Sequence, residues 1–197
     1  MKIQNFITTT LLLNRNSIIC IEPHNGFPPV IAFSGTQNVK DLLNYDFNVL
    51  PSNWPDENSL VHSGFAKRTE KLMKRADKFI EKHDNFILGG HSLGGSCAIL
   101  CASKMILDGK NVDKVYTFGC PGVGLDSFRT QYSFQNLNEK TFNYVTPNDF
   151  VVNLPIIYKH VGNEILLDSF TKNPIINHDL AVYDNYLFIY DYCLATY

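Results

Sequence analysis

Nothing in the 197-residue chain approaches the run of roughly eighteen apolar residues that spans a bilayer, so no transmembrane helix is expected. Charge is scarce and nearly balanced, at 18% of residues and a net −2, which excludes the basic face that nucleic-acid binding requires. The five cysteines (Cys20, Cys97, Cys101, Cys120 and Cys193) include no CxxC pair and are odd in number, so they form neither a disulfide framework nor a metal-ligating pattern. There is no Asn-x-Ser/Thr sequon, no internal repeat and no low-complexity tract. The first twenty residues, MKIQNFITTTLLLNRNSIIC, read poorly as a signal peptide, because three threonines interrupt the apolar run and no small-x-small cleavage site follows. One domain over residues 1–197 in a reducing, cytoplasmic compartment is the expectation, with no cofactor and no metal.

Against these absences stand strong alternating patterns. Two β-rich runs at 17–22 and 30–33 flank a Pro/Gly/Asn turn and predict a hairpin. Residues 65–83, FAKRTEKLMKRADKFIEKH, put Phe65, Leu72, Met73, Ala76, Phe79 and Ile80 on one helical face with charges opposite. A short strand at 86–88, a helix to about Leu107, and strands at 114–118 and 141–146 complete the pattern. Strands alternating with helices predict an α/β fold, a mostly parallel central sheet with helices on both faces. In such sheets reactive groups collect on loops at the carboxyl ends of the strands.

Between the strand at 86–88 and the helix lies Gly89-Gly90-His91-Ser92-Leu93-Gly94-Gly95, four glycines around one serine. The G-x-S-x-G pattern is weak alone but informative where a strand hands over to a helix, because there it forms a sharp turn that lifts a serine hydroxyl above the sheet. A serine hydroxyl is a poor nucleophile until a histidine removes its proton, and that histidine must be oriented by a carboxylate. On this fold the chain order is Ser, Asp or Glu, His. Asp149 follows the strand at 141–146 and falls at the same sheet edge as Ser92. Only His160 and His178 come after it; His178 follows a proline-containing loop, whereas His160 leads straight into a further β-type run and reads as structural. His91 is expected to point away from the serine hydroxyl.

These residues give the chain a resemblance to the class 3, fungal-type lipase family of α/β-hydrolases. Its ordered motifs appear as Ala32-Phe33-Ser34-Gly35-Thr36, His62-Ser63-Gly64-Phe65, Gly90-His91-Ser92-Leu93-Gly94-Gly95, Phe118-Gly119-Cys120-Pro121-Gly122-Val123-Gly124, the Asn148-Asp149 segment through Pro155, His160-Val161-Gly162-Asn163-Glu164 and His178 to Tyr183. The resemblance implies an α/β-hydrolase fold and a Ser92–Asp149–His178 triad, with His160 in support. It also implies an oxyanion hole from the backbone N–H groups of Leu93 and Thr36. The segment 37–54, with Leu42, Leu43 and Phe47, corresponds to a lid that meets a lipid interface. A lipid or other ester is the implied substrate, triacylglycerol first; phospholipase A1 or soluble-ester activity, and a catalytically silent binding protein, are the alternatives. Ser34 and Gly122 stand where the family carries arginines, so looser neighbouring loops are expected at both.

Overall fold

The computed structural model describes residues 18–23, 26–35, 50–168 and 173–183. The predicted hairpin forms: β1 (Ile18–Ile21) pairs antiparallel with β2 (Val30–Phe33), Ile18 opposite Phe33. A separate two-stranded ribbon, β3 (Pro51–Asn53) with β4 (Leu60–His62), leads into α1 (Ser63–Arg75) and α2 (Asp77–Lys82). Then come β5 (Asn85–His91), α3 (Leu93–Leu107), β6 (Asn111–Phe118), α4 (Asp126–Phe134), β7 (Thr141–Val145), β8 (Asn163–Leu166) and the one-turn α5 (Pro174–Asn177). The main sheet runs β1-β2-β5-β6-β7-β8, and all neighbours after the first pair are parallel. The strand expected at 86–88 is longer, seven residues from Asn85 through both glycines to His91.

Both faces of this sheet are buried along its central strands β2, β5 and β7, as parallel sheets require. The alternation along β2 shows the division: Ile31 and Phe33 join Leu88, Ile99 and Phe128 beneath the helices, whereas Val30 and Ala32 join Ile87, Phe118 and Tyr144 on the other face. Leu167 and Tyr183 cover that second face among the described residues, with Leu180 packed against them. Each fully buried Leu, Ile or Phe contributes roughly 1.5–3 kcal/mol. α3 is the central helix, and nearly every residue from Leu93 to Met105 is buried.

One expectation changes in form. The apolar stripe of 65–83 is carried by two helices, broken at Ala76 (φ −99°, ψ 5°), whose N–H is shared between the Leu72 and Met73 carbonyls at 3.3 and 2.9 Å. The turn tightens there, and the stripe continues across it: Phe65, Leu72 and Ala76 are buried while Met73, Phe79 and Ile80 pack against the core. The break lets Phe79 meet the rings of His83 and Phe86. Among the described residues no helix is long and apolar enough to cross a membrane, and Cys20, Cys97, Cys101 and Cys120 are free thiols.

Candidate active site

The parallel strands bring Phe33, His91, Phe118 and Val145 to one edge of the sheet, and the candidate residues lie on the loops leaving it. Ser92 occupies the single residue between β5 and α3, at φ 55° and ψ −128°. A non-glycine residue at positive φ is uncommon and costs on the order of 1–3 kcal/mol, so the surroundings must enforce it. They do so from both sides. The Ser92 N–H donates to the Phe118 carbonyl at 2.8 Å, and the Ser92 carbonyl accepts from the Gly95 N–H at 2.9 Å as the helix starts. Around the turn the backbone passes so closely that a Cβ on Gly90 would stand 2.2 Å from the Gly94 carbonyl oxygen, and one on Gly94 2.1 Å from that of Phe33. No side chain fits at either position, which explains why glycine flanks the serine.

The second half of the site comes from the loops after β7 and after β8. Asp149 follows β7 and is 1% exposed; its Oδ1 accepts from the Val151 N–H at 2.9 Å. His178 caps α5, a turn whose own start is capped by the Asn173 side chain with Pro174 in the first helical position. The Thr146 hydroxyl holds the Asn177 carbonyl at 3.0 Å, tying this turn to the end of β7. As a result His178 Nδ1 lies 2.8 Å from Asp149 Oδ2, and His178 Nε2 lies 2.8 Å from Ser92 Oγ. With the Nδ1 proton donated to the carboxylate, Nε2 is left to accept the serine proton. Of the two histidines after Asp149 it is His178 that meets Ser92, while His160 Nε2 bonds the Val152 carbonyl at 2.6 Å and anchors the loop that follows Asp149.

Sequence reasoning assigns no such role to three further contributors. Tyr183, whose phenol donates to Asp149 Oδ2 at 2.6 Å, shares the oxygen that accepts from His178; burial and the adjacent carboxylate push its pKa well above the ordinary value, so it stays a donor. Its signal is the five-residue spacing from His178. Gly119, at φ +56°, leaves room for this cluster: a Cβ there would be 2.7 Å from Asp149 Oδ2 and 3.1 Å from His178 Nδ1. His91 does turn away from the serine, as expected. Its Nε2 lies 2.7 Å from the His178 carbonyl oxygen and its ring 4.9 Å from the His178 ring. Burial, then the charge of His178, holds its pKa down to about 3, so it is a neutral Nε2–H donor that fixes the base from behind.

Leu93 is the first residue of α3, and its N–H therefore has no intrahelical acceptor. Thr36, Leu42, Leu43 and Phe47 lie outside the described residues. The tail of the 37–54 segment is described and belongs to the fixed ribbon: 51–53 form β3, and Trp54 Nε1 donates to the Leu100 carbonyl on α3 at 2.9 Å. Gly122, at the second position where the family carries an arginine, is held by its main chain, which donates to the Leu154 carbonyl at 3.0 Å and packs against Tyr158. Among the described residues no three His, Cys, Asp or Glu side chains are grouped to hold a metal ion.

The family described as Lipase (class 3) matches residues 30–159, two thirds of the chain. The chain belongs to the class 3 lipase family. The chain is 30% identical over 169 residues to Triacylglycerol lipase OBL1 of Arabidopsis thaliana, a match covering 75% of the chain and 31% of the plant protein. It is 32% identical over 149 residues to Toxin TseL of Vibrio cholerae, covering 70% of the chain and 22% of the toxin. It thus spans less than a third of the length of either relative. Among solved structures, the lipase from Rhizopus microsporus var. chinensis superposes with a TM-score of 0.62 at 24% identity, covering 70% of this chain and 52% of that one, a likeness of fold.

Proposed function

We propose that this class 3 lipase is a serine carboxylester hydrolase acting on lipid esters, triacylglycerols first among them. The reading is carried by one observation, the unbroken hydrogen-bonded row from Ser92 Oγ through the His178 ring to Asp149 Oδ2, both links at 2.8 Å. The name of the Arabidopsis relative supports the substrate class. Ser92 Oγ attacks the ester carbonyl while His178 Nε2 takes its proton; Asp149 and Tyr183 hold the resulting imidazolium in place. The tetrahedral oxyanion is met by the Leu93 N–H and the Thr36 N–H. His178 then returns the proton to the leaving alcohol, giving an acyl-enzyme on Ser92. Water, deprotonated by the same imidazole, releases the acid. The segment 37–54, with Leu42, Leu43 and Phe47, serves as the lid that meets the lipid surface, and the protein works in the cytoplasm.

The test combines a covalent probe with turnover. The purified protein is expected to take up one fluorophosphonate label and to hydrolyse p-nitrophenyl esters, both abolished in Ser92→Ala. Absence of label and turnover in the folded wild type, or a label that survives Ser92→Ala, refutes the reading. Activity that rises sharply once tributyrin passes its solubility limit is the expected mark of a lid meeting lipid.

A further inference from the structure

Arg68 projects from the second turn of α1 toward the end of β2, where its Nη2 donates to the Ser34 carbonyl at 3.2 Å. The guanidinium also bears on the Cys97 thiol of α3. No carboxylate among the described residues forms an ion pair with it, and its buried Nε has no hydrogen-bond partner among them. A guanidinium taken partly out of water without a counter-charge lowers stability, because the desolvation is not returned by an ion pair. With no ion pair to make, the guanidinium is placed by the bond it donates to the Ser34 carbonyl.

Ser34 is 3% exposed, and the next residue is wedged against the nucleophile: a Cβ on Gly35 would stand 2.8 Å from the His91 carbonyl oxygen and 3.3 Å from Ser92 Cβ. The Ser34–Gly35 peptide is thus clamped, with Arg68 on its carbonyl and the serine turn on the other side. Thr36, the proposed second oxyanion donor, is the next residue in the sequence. The arginine that the family resemblance places at position 34 is absent, and a guanidinium reaches the same stretch of main chain from α1.

Resting on the ester-hydrolase reading above, we propose that Arg68 is a positioning residue for the reaction at Ser92, fixing the Ser34–Gly35 main chain against the nucleophile so that the tetrahedral state is better held than the bound ester. Misplacing such a support costs up to about 100-fold in rate. The experiment compares the wild type with Arg68→Met, which keeps the stem, and Arg68→Lys, which keeps one charged donor. Each is assayed on p-nitrophenyl butyrate per fluorophosphonate-labelled site, so unfolded material does not count. Arg68→Met is expected to lower kcat about 10- to 100-fold with KM within about twofold. It is also expected to weaken inhibition by an alkylboronic acid, which forms a tetrahedral adduct on serine, by the same factor as kcat. Arg68→Lys recovers part of both, and the pH midpoints of activity stay where they were. An unchanged kcat in Arg68→Met, a boronate constant that does not follow kcat, or a lysine variant no better than methionine overturns the inference. Should Arg68→Met not fold, Arg68→Gln and Arg68→Lys carry the same comparison. A wild type that neither labels nor turns over defeats the hydrolase reading, and this inference with it; an active wild type matched by Arg68→Met defeats this inference alone.

Discussion

Ser92 is held by its own backbone, whereas Asp149 and His178 are held through their side chains. Around the serine the constraint is steric: a positive φ, a Phe118 carbonyl on its N–H, and glycines with no room for a Cβ. Around the acid and base it is a set of aimed polar contacts, with Tyr183, the Val151 N–H and His178 all on one carboxylate, and His91 and Thr146 on the turn that carries the imidazole. A steric constraint is all-or-none, because close-packed backbone cannot yield by half an ångström without displacing what it touches. Polar constraints are graded, since each hydrogen bond contributes about 1 kcal/mol, or more where it meets a charge. The nucleophile side should therefore fail by collapse and the acid–base side by degrees.

Substitutions that remove chemistry without disturbing geometry set the upper end of this contrast. Ser92→Ala is expected to cut kcat on the order of 10⁶-fold while leaving the fold intact, read by ester turnover and circular dichroism. Asp149→Asn is expected to cost about 10⁴-fold, because the amide favours the wrong imidazole tautomer. Gly94→Ala should strike stability instead: its methyl would stand 2.1 Å from the Phe33 oxygen, and a loss of about 3 kcal/mol or more in urea unfolding is expected. A near-normal unfolding midpoint for Gly94→Ala would break the steric half of the comparison.

Acid comes next. His91 and His62 titrate in the fold at about 3 and about 4, each lowered first of all by burial, so the unfolded chain binds protons on them before the native protein does. Stability then falls as pH drops below about 6.5, by about 2 kcal/mol for each histidine at pH 5, with no contribution above neutrality. Thermal melts of the wild type and His91→Asn between pH 7 and 5 measure it, the variant showing the shallower decline. Smallest is Tyr183→Phe, which removes one donor from Asp149 and is expected to lower kcat roughly tenfold with KM unchanged. A loss for Tyr183→Phe as large as for Asp149→Asn would sink the graded description of the acid–base side.

The same contrast separates what is legible in the sequence from what is not. Steric demands are written locally, so GGHSLGG, read with the apolar run before it and the helical stretch after it, places the serine between strand and helix, and the β-rich run beside a Pro/Gly turn places Val30 to Phe33 in the sheet. Polar contacts join residues far apart in sequence, 86 positions between Ser92 and His178 and 87 between His91 and the His178 carbonyl. Spacing and family motifs name Ser92, Asp149 and His178, but not what Tyr183 and His91 do for them. The looseness expected from Ser34 meets the same limit, because the guanidinium that holds its carbonyl arrives from Arg68, 34 residues away. The break at Ala76 is hidden for another reason: the apolar stripe runs through it unbroken, so periodicity carries no trace of the tightened turn.

The site is distributed over three segments brought together by the parallel pairing of β5, β6 and β7, and this makes it a clock. Local pieces such as β1–β2 or α3 can form early, but pairings of large sequence separation come slowly. Fluorophosphonate reactivity during refolding should appear only after β5, β6 and β7 are in register and the 173–183 turn has docked. Its lag behind recovery of helical circular dichroism would time the closing of the sheet.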